Sequence, residues 1–204
     1  MELNEAIARR RMVRAFTDEP VDPATIDRLC DLARRAPSAG NTQATAFLVL
    51  DEPAATARYW DATLPADRRA GFRWPGLVAA PVLVVVAVRP DAYPERYAEA
   101  DKAATGRGSG TGAWPVPYWW VDAGAAVEHL LLGAVDAGLG ACLFGAFDHE
   151  PAVAEAFGIP DGWRLVATVA LGHPGDDEPG RSATRPRPPL GEVVHRGTWG
   201  HRSD

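Results

Sequence analysis

Six arginines and one short polar turn carry the chemistry open to this sequence. Arg9, Arg10, Arg11 and Arg14 fall within six residues, and Arg185 and Arg187 stand at alternate positions in a proline-rich stretch near the other end. Guanidinium groups pair bidentately with phosphate or carboxylate oxygens. The first cluster therefore reads either as a solvated helix end, where cations offset the C-terminal dipole, or as a grip on a phosphate. The second pair, projected in a fixed direction by extended chain, would complete such an anion site. The polar turn is Ala36-Pro37-Ser38-Ala39-Gly40-Asn41-Thr42-Gln43. Its backbone N–H groups, the Ser38 hydroxyl and the Asn41 amide suit a flat, heteroatom-rich ligand. The same residues also suit an ordinary helix-to-strand connection.

The elements that must position these groups are legible from pattern. Asp22 followed by Pro23 marks a helix start, Ile26, Leu29, Cys30 and Ala33 recur at helical spacing, and Pro37 stops the helix before the turn. Residues 47–50 predict a buried strand. Leu3, Ala6 and Ile7 mark an earlier helix running into the arginine cluster, and residues 53–70 predict a helix broken or kinked at Pro65. Residues 82–88 are apolar on both faces, as in a central strand covered by helices. A short helix is expected over 91–102. The glycine run 105–112 lacks the feeding strand and the lysine of a phosphate-binding loop, so it reads as a lid or surface loop. Residues 121–137 predict a central helix, apolar almost all round and ended by Gly138, whose small residues at 123–126 admit a second helix closely. His129 on that helix is expected to satisfy a hydrogen bond rather than bind metal. A strand end passing into a loop over 139–148, a helix over 150–157 and a strand over 164–172 follow. From Gly175 the chain is too rich in Gly, Pro and charge for a helix or central strand, and must wrap or dangle.

With 204 residues, 47% hydrophobic and 24% charged, the composition is that of one globular domain. A net charge of -6 gives no broad attraction to nucleic acid or an anionic membrane, so any anion site must be local. The longest apolar run contains Pro81 and is far short of a span, and the acidic start is unlike a signal peptide, so a cytoplasmic location is expected. Cys30 and Cys142, without a Cys-x-x-Cys motif, read as buried free thiols. Five of the seven tryptophans lie between Trp60 and Trp120, beside glycine and proline, where aromatics line a pocket or an interface.

In this order the segments resemble the FMN-dependent nitroreductase family. Residues 10–16, Arg-Arg-Met-Val-Arg-Ala-Phe, are similar to its N-terminal Arg-Arg-Ser-x-Arg-x-Phe. Residues 36–43 are similar to its Ala-Pro-Ser-x-x-Asn-x-Gln, residues 138–148 to its loop over the flavin, and Arg185-x-Arg187-Pro188 to its C-terminal basic motif. The chain departs from the family at Met12, usually serine, at Ala44-Thr45, usually Pro-Trp, and at Gly145, glutamate in some members.

The resemblance implies an α+β fold, a three-layer sandwich with a central mixed sheet. Residues 1–204 would form a single domain whose tail, 175–204, reaches over the partner subunit of an intertwined homodimer. It implies FMN at the subunit interface and NAD(P)H as co-substrate. Arg10, Arg11, Met12, Arg14, Arg185 and Arg187 would hold the phosphate end. Pro37, Ser38, Ala39 and Asn41 would come from the other subunit to the flavin edge, and Phe144, Gly145 and Ala146 would face its N5 and O4 region. Hydride moves at flavin N5, so no side chain is named as catalytic and no metal is required. Trp114 and Tyr118 are the expected substrate-lining pair, with residues 58–75 as the alternative roof. The implied activity is ping-pong reduction of an aromatic, nitro or quinone-like acceptor. The alternatives are a specialised flavin-dependent oxidase or dehydrogenase of a biosynthetic intermediate, a flavin-consuming enzyme, or a non-catalytic flavin-binding protein. The expected partners are a second copy and a small-molecule substrate, with no nucleic acid and no membrane.

Overall fold

The computed structural model describes residues 1–176, 180 and 183–200. Prolines and caps set where its helices begin. α1 (Leu3–Arg9) stops at the arginine cluster, which continues as extended chain. α2 (Pro23–Ala33) opens as its sequence dictates, with Pro23 at the first turn and the Ala24 N–H donating to Asp22 Oδ1 at 3.3 Å. β1 (Thr45–Leu50) leads to α3 (Pro53–Thr63), and Pro65 separates this from α4 (Ala66–Arg69), so the expected 53–70 helix is broken where proline denies it a donor. Then come α5 (Pro75–Val78), β2 (Val82–Val88), α6 (Ala92–Tyr97), α7 (Tyr118–Asp136), β3 (Gly140–Phe144), α8 (Glu150–Phe157), β4 (Arg164–Gly172) and α9 (Leu190–Val193). Between α6 and α7 the glycine-rich stretch forms 3-10 turns.

The four strands are ordered β1-β2-β4-β3, and every neighbouring pair is antiparallel. The expected mixed sheet is thus corrected. The helical arm between β1 and β2 leaves and returns at one end of the sheet, as does α8 between β3 and β4, whereas parallel neighbours need a crossover to the opposite end. Among the described residues the parallel contact is an isolated bridge from Met12 to Ala141. β1 also differs from expectation: it is an edge strand, half-buried except at Leu50.

All seven residues of β2 are buried. Val82, Val84 and Val86 pack with α2 and α7 through Ile26, Leu29, Leu130 and Leu131 on one face. Leu83 and Val85 pack with Tyr59, Trp60, Leu77 and Val153 on the other. Strand alternation therefore divides one sheet between two helical layers. A third cluster, Ala44, Val88, Tyr93, Trp119 and Ala123, closes the Val88 end. Helix α7 starts at Tyr118, earlier than expected, so Trp119 enters the core and the aromatic block is not extended to its end. A Cβ on Gly133 would come 2.8 Å from the Leu29 side chain, so α2 and α7 approach closely there. Gly138, at φ 75°, follows the cap residue Ala137.

The tail is tied back by Gly175 N–H to Ala15 O at 2.9 Å. Residues 177–179, 181–182 and 201–204 of the expected 175–204 tail lie outside the described residues. Among the described residues no helix is long and apolar enough to cross a membrane.

Candidate functional site

The Val13 N–H donates to Ala141 O at 2.9 Å, and this pairing lays residues 10–14 along β3. As a result Arg10, Arg11, Met12 and Arg14 form one wall of a cleft of about 790 Å³, and Arg185 and Arg187 line it with them from the tail. The arginine cluster is divided: Arg9 closes the last turn of α1 and pairs with Glu5, while Arg10, Arg11 and Arg14 follow the helix and line the cleft. Arg10 is largely buried and lies 3.4 Å from Glu128 of α7. Arg14 donates to Met12 O at 3.4 Å and places its guanidinium 5.2 Å from the Trp74 ring centroid. Arg185 and Arg187 are exposed and form no ion pair among the described residues. Met12, where the family carries serine, turns its sulfur to accept the Leu143 N–H at 3.3 Å and packs against both main core clusters. Its thioether fills the seam at the edge of the sheet.

Arg14 also lines a second cleft, of about 310 Å³, formed mainly by Trp60, Phe72, Trp74, Cys142, Phe144, Gly145, Ala146 and His149. Phe144 stacks on Trp60 at 5.6 Å with 15° between rings, and Tyr59 holds its hydroxyl 2.8 Å from Thr168 Oγ1 beneath them. The Trp60 indole N–H is buried with no hydrogen-bond partner. A buried donor left unpaired costs about 1–3 kcal/mol, which the packing around it has to offset. Phe147, next to Ala146, has φ 46° and its ring is 84% exposed above Gly145. An aromatic residue in that left-handed region is strained, and such strain gathers at functional sites.

The polar turn is strained as well, with φ of 64° at Gly40, 56° at Asn41 and 54° at Gln43. Asp122, buried in α7, holds it in place: Asp122 Oδ2 accepts the Ala39 N–H at 2.8 Å and the Tyr93 O–H at 2.8 Å. Arg96 donates to Gly40 O at 3.0 Å, and the Gln43 N–H donates to Ser38 Oγ at 3.0 Å. A Cβ on Gly40 would meet the Tyr97 ring at 2.5 Å. Burial and the Asp122 carboxylate push the Tyr93 phenol well above its ordinary range. On the far side of the turn, Ala39, Tyr97, Thr105, Arg107, Trp114 and Tyr118 line a third cleft, of about 510 Å³.

The structure thus brings the terminal arginines and Met12 together, and joins them through Arg14 to Phe144, Gly145 and Ala146. Pro37, Ser38, Ala39 and Asn41 line neither of those clefts; Ala39 instead shares the third with Trp114 and Tyr118. Sequence reasoning passed over Asp122, although a carboxylate inside the apolar run of α7 marks it, whereas Trp60 falls within both the tryptophan span and the alternative roof, 58–75. His129 Nδ1 lies 3.1 Å from Leu32 O, the local role expected of it. Neither Cys30 nor Cys142 is in a disulfide among the described residues; Cys142 is buried and Cys30 half-buried. Among the described residues no group of His, Cys, Asp and Glu is arranged to hold a metal ion.

An antiparallel sheet between two helical layers, with Arg14 lining both an arginine cleft and an aromatic one, defines an α+β protein. Residues 7–173 match the model of the Nitroreductase family, and the chain belongs to that family of flavin-dependent oxidoreductases. It is 32% identical over 202 residues to a 5,6-dimethylbenzimidazole synthase of Rhodobacter capsulatus, covering 97% of this chain and 90% of that protein. Its fold matches a nitroreductase family protein of Clostridium novyi NT with a TM-score of 0.64 at 25% identity, covering 99% of this chain and 97% of that one. It also matches nitroreductase A of Vibrio parahaemolyticus, with a TM-score of 0.71 at 19% identity, over all of this chain and 79% of that one.

Proposed function

We propose that the chain is a homodimeric oxidoreductase that binds FMN and uses NAD(P)H to reduce an aromatic, nitro or quinone-like acceptor, the two substrates taking turns at one site. The observation that carries this reading is the shared guanidinium of Arg14, which joins a cleft of arginines to a cleft of aromatic rings. The donor set fits the cofactor: a phosphate monoester carries nearly two negative charges, and the arginines concentrate cations in a chain of net charge -6. When bound, FMN supplies two-electron redox chemistry through hydride acceptance at N5.

The residues of this chain bind, orient and exclude water. Arg10, Arg14, Arg185 and Arg187 neutralise the phosphate, with Arg11 and Met12 completing that wall. Phe144, Gly145 and Ala146 would border the ring, with backbone N–H groups near Gly145 and Ala146 as the donors to its polar edge. Pro37, Ser38, Ala39 and Asn41 approach from a second copy, which fits their separation from the arginines within one chain. Exposed Leu3, Ile7, Leu32 and Val121, on α1, α2 and α7, are the apolar surface that second copy would cover. Trp114 and Tyr118, beside Ala39, then form the roof against which the acceptor stacks.

A second reading is favoured by the relationship to the 5,6-dimethylbenzimidazole synthase, since the dimethyl-substituted benzene ring of that product also occurs in flavin. In this reading the flavin is consumed with O2 as oxidant. Purified protein mixed anaerobically with NADH or NADPH separates the readings. Loss of flavin colour followed by its return with a nitroaromatic or quinone supports reduction of an acceptor. Retained colour with either nicotinamide, together with 5,6-dimethylbenzimidazole detected by mass spectrometry after externally reduced flavin is exposed to air, supports the second. Protein that cannot be reconstituted with FMN refutes both.

A further inference from the structure

We propose that the third cleft selects planar aromatic anions and that Arg107 recognises the anionic group; the inference rests on the acceptor reading above. The walls suit a flat ring. Tyr97 and Trp114 meet edge to face at 4.7 Å, and Trp114 and Tyr118 at 6.2 Å, around a space of about 510 Å³. That volume lies in the ordinary range of small-molecule sites, and aromatic walls favour stacked or edge-on partners.

The charge distribution supplies the sign. Between α6 and the glycine run, Glu95 is paired with Arg89 at 2.6 Å, and Glu99 and Asp101 with Arg96 at 3.1 and 2.7 Å. These arginines hold the Glu95 and Asp101 carboxyls below their ordinary range. Arg107, which lines the cleft, is not offset in this way: half-buried, it has no carboxylate partner among the described residues. Arg107 spends one N–H on the Ala113 carbonyl, and a guanidinium has five.

Arg107 is also held in place. The Trp114 indole N–H donates to Arg107 O at 3.1 Å, which ties the cation's backbone to the ring that forms the wall. Gly108 lets the segment lie on α6, since a Cβ there would fall 2.8 Å from Ala98 Cα. A preorganised cation beside stacked rings loses little freedom on binding, so it discriminates by charge rather than by general stickiness.

The test is calorimetry on the purified full chain with FMN added, using 4-nitrobenzoate and its neutral isostere 4-nitrobenzamide. The parent is expected to bind the carboxylate about tenfold more tightly, the scale of one charge-assisted hydrogen bond. Arg107→Gln should bring 4-nitrobenzoate down to the level of the amide and leave the amide within about twofold. Arg107→Lys should keep part of the preference, and it carries the test if the Gln variant does not fold. Equal binding of both ligands by the parent, binding of neither, or equal weakening of both by Arg107→Gln would overturn the proposal. Calorimetry reads binding without turnover, so failure of the acceptor reading shows separately, as flavin that no nicotinamide bleaches.

Discussion

Asp122→Ala would remove the acceptor shared by the polar turn and by Tyr93. Asp122 is 8% exposed and Tyr93 fully buried, so the Ala39 N–H and the Tyr93 O–H both lose a partner at 2.8 Å. An orphaned buried donor costs about 1–3 kcal/mol. Half-buried Ala39 can recover water, so the expected loss is about 3 kcal/mol, nearer the middle of the summed range than its top. For a chain of this length that is a fall in Tm of roughly 6–12 °C. Urea and thermal melts on parent, Asp122→Ala, Tyr93→Phe and the double variant read it directly. Tyr93→Phe alone should cost about 1 kcal/mol. In the Asp122→Ala background it should instead stabilise, because it deletes a hydroxyl that has become an orphan. A loss under about 0.5 kcal/mol for Asp122→Ala, within the range of an ordinary surface substitution, would refute the clamp.

Arg14→Ala should weaken FMN binding by roughly 10–100-fold in a fluorescence titration, because one charge-assisted contact is lost; unchanged affinity would remove Arg14 from the site. Gly40→Ala should destabilise by about 1–2 kcal/mol in chemical denaturation, since φ is 64° there and the Tyr97 ring must move. Burial, with Asp27 nearby, pushes the Cys30 thiol up to about 11 from 9.0. Its contribution to stability is therefore complete below pH 9 and is lost as pH rises towards 11, when the unfolded thiol ionises first. Cys30→Ala should flatten that part of the pH profile, and the parent Cys30 should react slowly with thiol reagents at neutral pH.

The sequence marked what local chemistry decides. Asp22-Pro23 starts α2, Pro65 ends α3, and the two-faced Val run of β2 announces a covered central strand. The terminal arginines stood out as a cation cluster in an acidic chain, a pattern that left a solvated helix end and a phosphate grip both open. What failed depended on how distant segments return. Strand direction follows from where the helical arms re-enter the sheet, and β1 is half-buried because its other edge has no strand neighbour. The fate of Trp119 followed from one helix boundary: starting α7 at Tyr118 rather than 121 sends it into the core. The pairing of Asp122 with the polar turn, 83 positions away in sequence, is a tertiary fact: a carboxylate in an apolar run marks the residue but not its partner.

The two walls of the arginine cleft differ in how they are made. Residues 10–14 are sewn to β3, and Arg10 is largely buried, whereas Arg185 and Arg187 stand exposed on the tail. Mobile ions screen exposed charges over about 8 Å at physiological ionic strength and reach buried ones poorly. Salt therefore acts unevenly on the two walls: it attenuates the tail's charges and exposed Arg11 more than half-buried Arg10 and Arg14. Substitutions divide in the same way. A change at 185 or 187 adjusts anion affinity alone, while a change at 12 or 13 also disturbs the edge of the sheet, so affinity and stability can drift independently in this protein.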